Sequence, residues 1–270
     1  MIDAVYWPRA AVDAWRGEMV RLVGMTVHVP GTRRERLSMV AGNLRIHRLL
    51  DRWVSPGATV IDVGANIGYN TIHAARRVGP QGRVVALEPT PDTLAVLRRN
   101  IATSGLANVV IEPVAAGSVA GTREFFIRGR ESAVNSLFPD SRYARVTSVL
   151  RVPVMPLDEL VDGAADVVKI DVEGAEIEVL EGMSRILRTP ATAVIVEWDP
   201  QLQQLAGHSA DALPRWLLER GWRLQSASHL AVRPLAAADL PALTARLLRV
   251  RRPVELLARR GPQSVNEASI

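Results

Sequence analysis

The sequence contains no cysteine. That excludes a disulfide framework, a thiolate zinc site and catalysis by a cysteine nucleophile, and it is compatible with a reducing compartment. It holds a single lysine, Lys169, among 33 basic residues. The arginine excess fits a GC-rich genome, so a net charge of +5 is weak support for an anionic partner. No run approaches the ~18 consecutive apolar residues of a membrane span. Residues 1–14 lack the basic-then-apolar pattern of a secretory signal. A cytoplasmic chain with no transmembrane segment is expected. His28, His47, His73, His208 and His229 are scattered without a close pair, so no metal site is assigned. An aromatic-rich basic patch or RNA-binding motif is also missing, which leaves no strong nucleic-acid signal.

What the chain does have is a long apolar alternation. At 270 residues and 48% hydrophobic, it can bury one large α/β domain with trimmings. Residues 1–50 read as an N-terminal extension, with helical pieces at Val12–Leu22 and Leu37–Trp53 and a short strand at Met25–Val29. From residue 51 to 235 apolar runs and helical patterns alternate. Strands are expected at Thr59–Val63, Arg83–Leu87, Asn108–Ile111, Ala165–Ile170 and Ala193–Trp198. Helices are expected at Ile67–Val78, Pro91–Ser104, Leu157–Leu160, Ala175–Leu187 and Ala210–Arg220. Such alternation implies a doubly wound parallel sheet covered on both faces. Thr122–Ile127 and Val149–Val154 read as an antiparallel excursion. Trp222–Ser226 with Leu230–Pro234 reads as a terminal hairpin that reverses the last strand. Residues 236–270 read as a basic C-terminal helical tail carrying Arg246, Arg249, Arg251 and Arg252, with Pro253 as a breaker.

The segment VIDVGANIGYNT, Val60–Thr71, runs a buried strand into glycines and then a helix. Gly64 clears space for a ligand to approach the backbone. Gly68 allows a tight turn and close packing. The helix start offers free N–H groups to an anion. The dinucleotide spacing G-x-G-x-x-G is not met, and no Tyr-x-x-x-Lys pair exists because position 165 is Ala165. Nicotinamide chemistry is thereby disfavoured. The pattern is instead an acid, Asp62, then Gly64, Asn66 and Gly68, with Asn66 in the middle glycine's place. Glu88 ends the next strand, where an acid can accept bonds from both hydroxyls of a ribose. Adenine then falls by topology near Val114 and Ala115.

Taken with ALEPTPDTLAVLRRNI, VMPLDEL, VKIDVEGAEIEVLEG (Val168–Gly182) and IVEW in that order, these motifs strongly resemble those of the FkbM family of O-methyltransferases, over about residues 45–200. The resemblance implies a class I methyltransferase fold, Rossmann-like and mostly parallel with a terminal antiparallel strand. It implies S-adenosyl-L-methionine as cofactor, held by Asp62, Gly64, Asn66, Gly68, Glu88 and Asp171. It also implies a hydroxylated small-molecule acceptor, a sugar or polyketide-type natural product. A homo-oligomer is compatible with it.

Methyl transfer from a sulfonium needs no acid for the leaving group. It benefits from alignment of the attacking oxygen and from a positioned base. Asp171 is the first candidate, either as base or to position the acceptor. Glu197 is second, and Glu173 completes the set. Asn135 and Ser136 in the loop Glu131–Asp140, with Phe138 as an apolar wall, and His208 are candidate acceptor contacts. The alternatives are an RNA or protein methyltransferase and a noncatalytic cofactor-binding interaction subunit.

Overall fold

The computed structural model describes residues 12–16, 19–22, 25–29, 33–128, 134–139, 145–227 and 231–260. It opens on a small antiparallel sheet of β1 (Val12–Arg16), β2 (Met19–Leu22) and β3 (Met25–His28). The helical piece expected over Val12–Leu22 is therefore a hairpin. The physical reason is a period of two: Val20 and Leu22, then Met25, Val27 and Val29, alternate along the sequence. Arg16 pairs with Met19. Helix α1 (Arg33–Trp53) follows and begins before the expected Leu37.

The central unit starts with β4 (Thr59–Val63), α2 (Tyr69–Val78), β5 (Arg83–Leu87), α3 (Pro91–Thr103) and β6 (Val109–Glu112). A second sheet then buds off, ordered β7 (Ala115–Ala116), β9 (Val146–Met155), β8 (Gly121–Arg128). After it come α4 (Leu157–Leu160), β10 (Val167–Ile170), α5 (Glu176–Glu181), β11 (Ala193–Trp198), α6 (Pro200–Leu205), α7 (Ala212–Glu219), β12 (Arg223–Ala227), β13 (Val232–Leu235), α8 (Leu240–Val250) and β14 (Val254–Arg259). The helix expected over Ala175–Leu187 stops at Gly182. A side chain there would meet the Gly117 carbonyl at 2.0 Å, so this stretch is packed backbone to backbone.

The main sheet has eight strands in the order β13-β12-β14-β11-β10-β4-β5-β6. The strands from β11 to β6 are parallel. β14 runs antiparallel to both β11 and β12. In the tail expected over residues 236–270 the helix is present as α8, ending at Val250 before Pro253, but Val254–Arg259 is a strand: the reversed strand is β14, inside the sheet and past the boundary drawn at residue 235. Its sequence Val-Glu-Leu-Leu-Ala-Arg is rich in helix formers. The slot between two strands overrides that propensity, because Leu256, Leu257 and Ala258 are all buried there. The expected terminal hairpin exists as β12 and β13, with Pro234 on the edge strand, where a missing N–H costs least.

Strand alternation divides the core. Ile61, Val63, Val168, Ile170, Val194 and Val196 pack against α5, α7 and α8. Val60, Val84, Val167, Ile195 and Leu257 pack against α1 and α2 on the other face. Residues two positions away from the latter set share its face. Asp62, Lys169, Glu197 and Glu255 therefore form a polar row across β4, β10, β11 and β14, on the face covered by α1 and α2.

Candidate active site

The loop after β4 is built by backbone geometry. Gly64, Asn66 and Gly68 all have positive φ, at 74°, 50° and 89°. Asparagine is among the few side chains that tolerate this region. A Cβ on Gly64 would lie 2.0 Å from the Asp171 carbonyl oxygen. The missing side chain thus admits the segment after β10, a packing reason for this glycine beside the expected approach of a ligand. A Cβ on Gly68 would meet Leu97 of α3 at 2.5 Å. Gly68 also caps α2, with no side-chain bond to the helix start, so its first-turn N–H groups have no side-chain cap.

Two buried acids hold this loop. Asp62 accepts from the Thr71 hydroxyl at 2.6 Å and thereby ties the strand to the first turn of α2. Glu88 accepts from the Asn66 N–H at 3.1 Å and from the Thr90 N–H and hydroxyl at 3.0 and 2.6 Å. Burial raises the Glu88 pKa, against the pull of the Thr90 and Asn66 donors and of Lys169. Thr90, the residue before α3, makes no side-chain cap bond to the helix; its hydroxyl goes to Glu88.

Lys169 joins this loop to the end of β10. Its Nζ donates to the Gly64 carbonyl at 3.0 Å and lies 3.2 Å from Asp62 and 3.5 Å from Asp171. Burial works against its charge, but Asp62 and Asp171 outweigh that and hold the ammonium above the usual lysine range. Past β10 the extended conformation ends. Glu173 has φ 55° and Gly174 has φ 110°. The turn still gathers the expected residues: carboxylate oxygens of Asp171, Glu173 and Glu197 lie within 4.8 Å of one another. Burial, then Asp171, Glu255 and Glu173, push the Glu197 pKa well above the carboxylate range, and Arg45 opposes them.

Two members of this neighbourhood were not anticipated. Glu255 on β14 stands opposite Glu197 in the register. It is buried and pairs with Arg45 of α1 at 2.6 Å. Burial raises its pKa, with Arg45 pulling the other way. Neither residue carries a sequence signal, since one lies in an apparent tail and the other in an apparent extension. A third unanticipated residue, Asn100 of α3, donates to the His28 and Ile67 carbonyls and so fastens β3 and the glycine loop.

The other expected positions lie in the second sheet, in the loop beside it and after α6. Asn135 accepts from the Arg128 N–H at 2.8 Å, and the buried Ser136 accepts from the Phe138 N–H at 3.0 Å. The same two residues tie the loop to β8, since the Ser136 backbone pairs with Phe126. Phe138 is the loop residue that reaches the turn after β10, 3.3 Å from where a Gly174 side chain would begin. Ala115 is buried with Phe125, Leu137, Val152 and Val154 under the second sheet. His208 is exposed after α6, with its N–H bonded to the Gln203 carbonyl. His229 lies outside the described residues.

A largely parallel sheet with one reversed inner strand, an acid–glycine loop after its central strand and a buried acid ending the next strand defines the class: a methyltransferase of the Rossmann-like kind. The Methyltransferase FkbM domain matches residues 62–224, and the chain belongs to that family. It is 30% identical to the methyltransferase sdnD of Sordaria araneosa, over 52% of this chain and 66% of that one. It is likewise 30% identical to the hexuronic acid methyltransferase AglP of Haloferax volcanii, over 60% of this chain and 64% of that one. The chain thus spans just under two thirds of each of these two relatives. A solved FkbM methyltransferase from Methylobacillus flagellatus superposes with a TM-score of 0.46 and 15% identity, covering 82% of this chain and 60% of that one. The cofactor is S-adenosylmethionine. The residues fit it: a buried carboxylate beside the loop for hydroxyl donors, and uncapped N–H groups at α2 for an anionic group. Among the described residues, no helix is long and apolar enough to cross a membrane.

Proposed function

We propose that the protein transfers the methyl group of S-adenosylmethionine to a hydroxyl of a small molecule, a sugar or a polyketide-type natural product. One observation carries this reading. The only lysine of the chain bonds the glycine loop and, at 3.5 Å, the acid cluster, so the cofactor loop and the carboxylates form one continuous site.

The loop Asp62–Gly68 and Glu88 bind the adenosyl part. Three of about four acceptor positions on Glu88 are already used by Asn66 and Thr90, which leaves room for one ribose hydroxyl on Oε2. An apolar cavity of about 300 Å³, lined by Pro89, Leu94, Pro113 and Pro153, suits the adenine ring better than the buried Ala115. Bound there, the cofactor supplies an electrophilic methyl carbon on a sulfonium. Asp171, whose side chain is 37% exposed, accepts the acceptor's hydroxyl proton as the new C–O bond forms and the C–S bond breaks. Glu197, whose neutral form is favoured by burial and by the neighbouring acids Asp171, Glu255 and Glu173, donates a hydrogen bond that orients the acceptor. Phe138 forms an apolar wall.

The test is labelled-methyl transfer to a panel of sugars, glycosides, polyketide alcohols and RNA. Asp171→Asn is expected to lower turnover of the best alcohol by roughly a hundredfold or more, with cofactor affinity little changed. Transfer to RNA alone, or wild-type turnover in both Asp171→Asn and Glu197→Gln, would remove this reading.

A further inference from the structure

Glu176 stands just beyond the acid cluster, at the first position of α5, and the mechanism above gives it no task. It is buried to 3% exposure and Gln203 to 0%. Its Oε1 accepts from the Gly174 N–H at 2.9 Å, and its Oε2 accepts from the Gln203 side-chain amide at 2.7 Å. These two donors belong to different segments. Gly174 lies in the turn after β10 that carries Asp171 and Glu173. Gln203 lies in α6, directly after the β11 end that carries Glu197. One carboxylate therefore bridges the two strand ends that supply the three clustered acids.

The turn needs such a brace. Glu173 at φ 55° and Gly174 at φ 110° occupy conformations that persist only when surroundings over-determine them. Gly174 is also wedged between the Phe138 ring and the Leu202 carbonyl, each within 3.4 Å of a would-be Cβ. A buried carboxylate is an expensive way to hold a turn. Burial indeed raises its pKa to about 7, against the Gly174 donor. With Gln203 turned as it is, only a carboxylate accepts from both donors at once; a glutamine would do so only if the Gln203 amide reversed.

We propose that Glu176 is a positioning residue, whose simultaneous bonds to Gly174 and Gln203 set the spacing of Asp171 and Glu173 from Glu197. This rests on the three acids forming the acceptor site.

The bridge supplies the experiment. Glu176→Ala removes both acceptors, whereas in Glu176→Gln the new oxygen keeps the Gly174 bond and the new amide donates to Gln203 once that side chain turns its unpartnered oxygen inward. Turnover and KM are measured with the alcohol methylated fastest in the panel, cofactor affinity by calorimetry, and exchange of the Gly174 amide by hydrogen–deuterium exchange. Glu176→Ala is expected to turn over roughly tenfold to a hundredfold more slowly. Its Gly174 amide should exchange faster and its cofactor affinity should stay near wild type. Glu176→Gln should recover most of the turnover and the amide protection. Wild-type turnover in Glu176→Ala overturns the proposal, and so does a folded Glu176→Gln variant as slow as Glu176→Ala. If Glu176→Ala fails to fold, Gln203→Ala severs only the bridge and leaves the Gly174 bond. Slower turnover is expected there, and unchanged turnover overturns the proposal. Failure of the functional reading looks different: Asp171→Asn and Glu197→Gln would keep full turnover whatever the Gly174 amide does.

Discussion

At the scale of single residues, ionisable groups gain their meaning from what they face. Lys169 is enclosed by two carboxylates and two carbonyls, the latter from Val63 and Gly64 at 3.4 and 3.0 Å. His47 is the opposite case. It is stacked between Tyr69, with ring centroids 4.7 Å apart, and His73, at 3.9 Å, and neither ring nitrogen has a hydrogen-bond partner. Burial, reinforced by His73, lowers its pKa from 6.5 to about 3. The folded state then binds fewer protons than the unfolded one between these values, so the stability this group contributes above pH 6.5 is lost as pH falls toward 3. Glu176 has the opposite sign: a raised carboxylate favours the folded state as pH falls through the window from 7 to 4.5. His47→Phe keeps the stack and removes only the histidine contribution. Urea unfolding at pH 7 and pH 4 should show the wild type losing about 3 kcal/mol more than the variant over that range. Equal losses would mean that His47 titrates normally. Asp62, Glu88 and the acids of the cluster were legible because they sit at strand ends beside glycines. Arg45, Glu255 and the bridging role of Glu176 were not, because each acts on a residue distant in sequence.

At the scale of elements, local signals placed β4, β5, α4 and β11 at the residues where they occur. Each is bounded by Gly, Pro or polar turn residues. β14 resisted because its composition favours helix and its strand pairing is set entirely by β11 and β12. Its place in the core has a measurable cost. Leu256 is fully buried, whereas Val250, at the end of α8, is 48% exposed. Leu256→Ala should destabilise by about 2–5 kcal/mol, and Val250→Ala by no more than about 0.5 kcal/mol, in denaturant titrations of the purified protein. A dispensable tail would leave both variants near wild type.

At the scale of the whole molecule, the site draws on segments outside the matched FkbM stretch of residues 62–224. Arg45 reaches in from α1, and Glu255 comes from the last strand of the main sheet. The polar row from Asp62 through Lys169 and Glu197 to Glu255 crosses four strands and is closed by that arginine. One end of the row fixes the cofactor loop, and the middle carries the acids proposed to handle the acceptor. The adenosyl assignment underlies both. Isothermal calorimetry of S-adenosylmethionine and its demethylated product against wild type and Glu88→Ala tests it most directly. Saturable one-to-one binding, weakened roughly tenfold or more in the variant, is expected for loss of a hydrogen bond to a charged group. Folded wild-type protein that takes up neither compound, or a variant that binds as tightly as wild type, would contradict it.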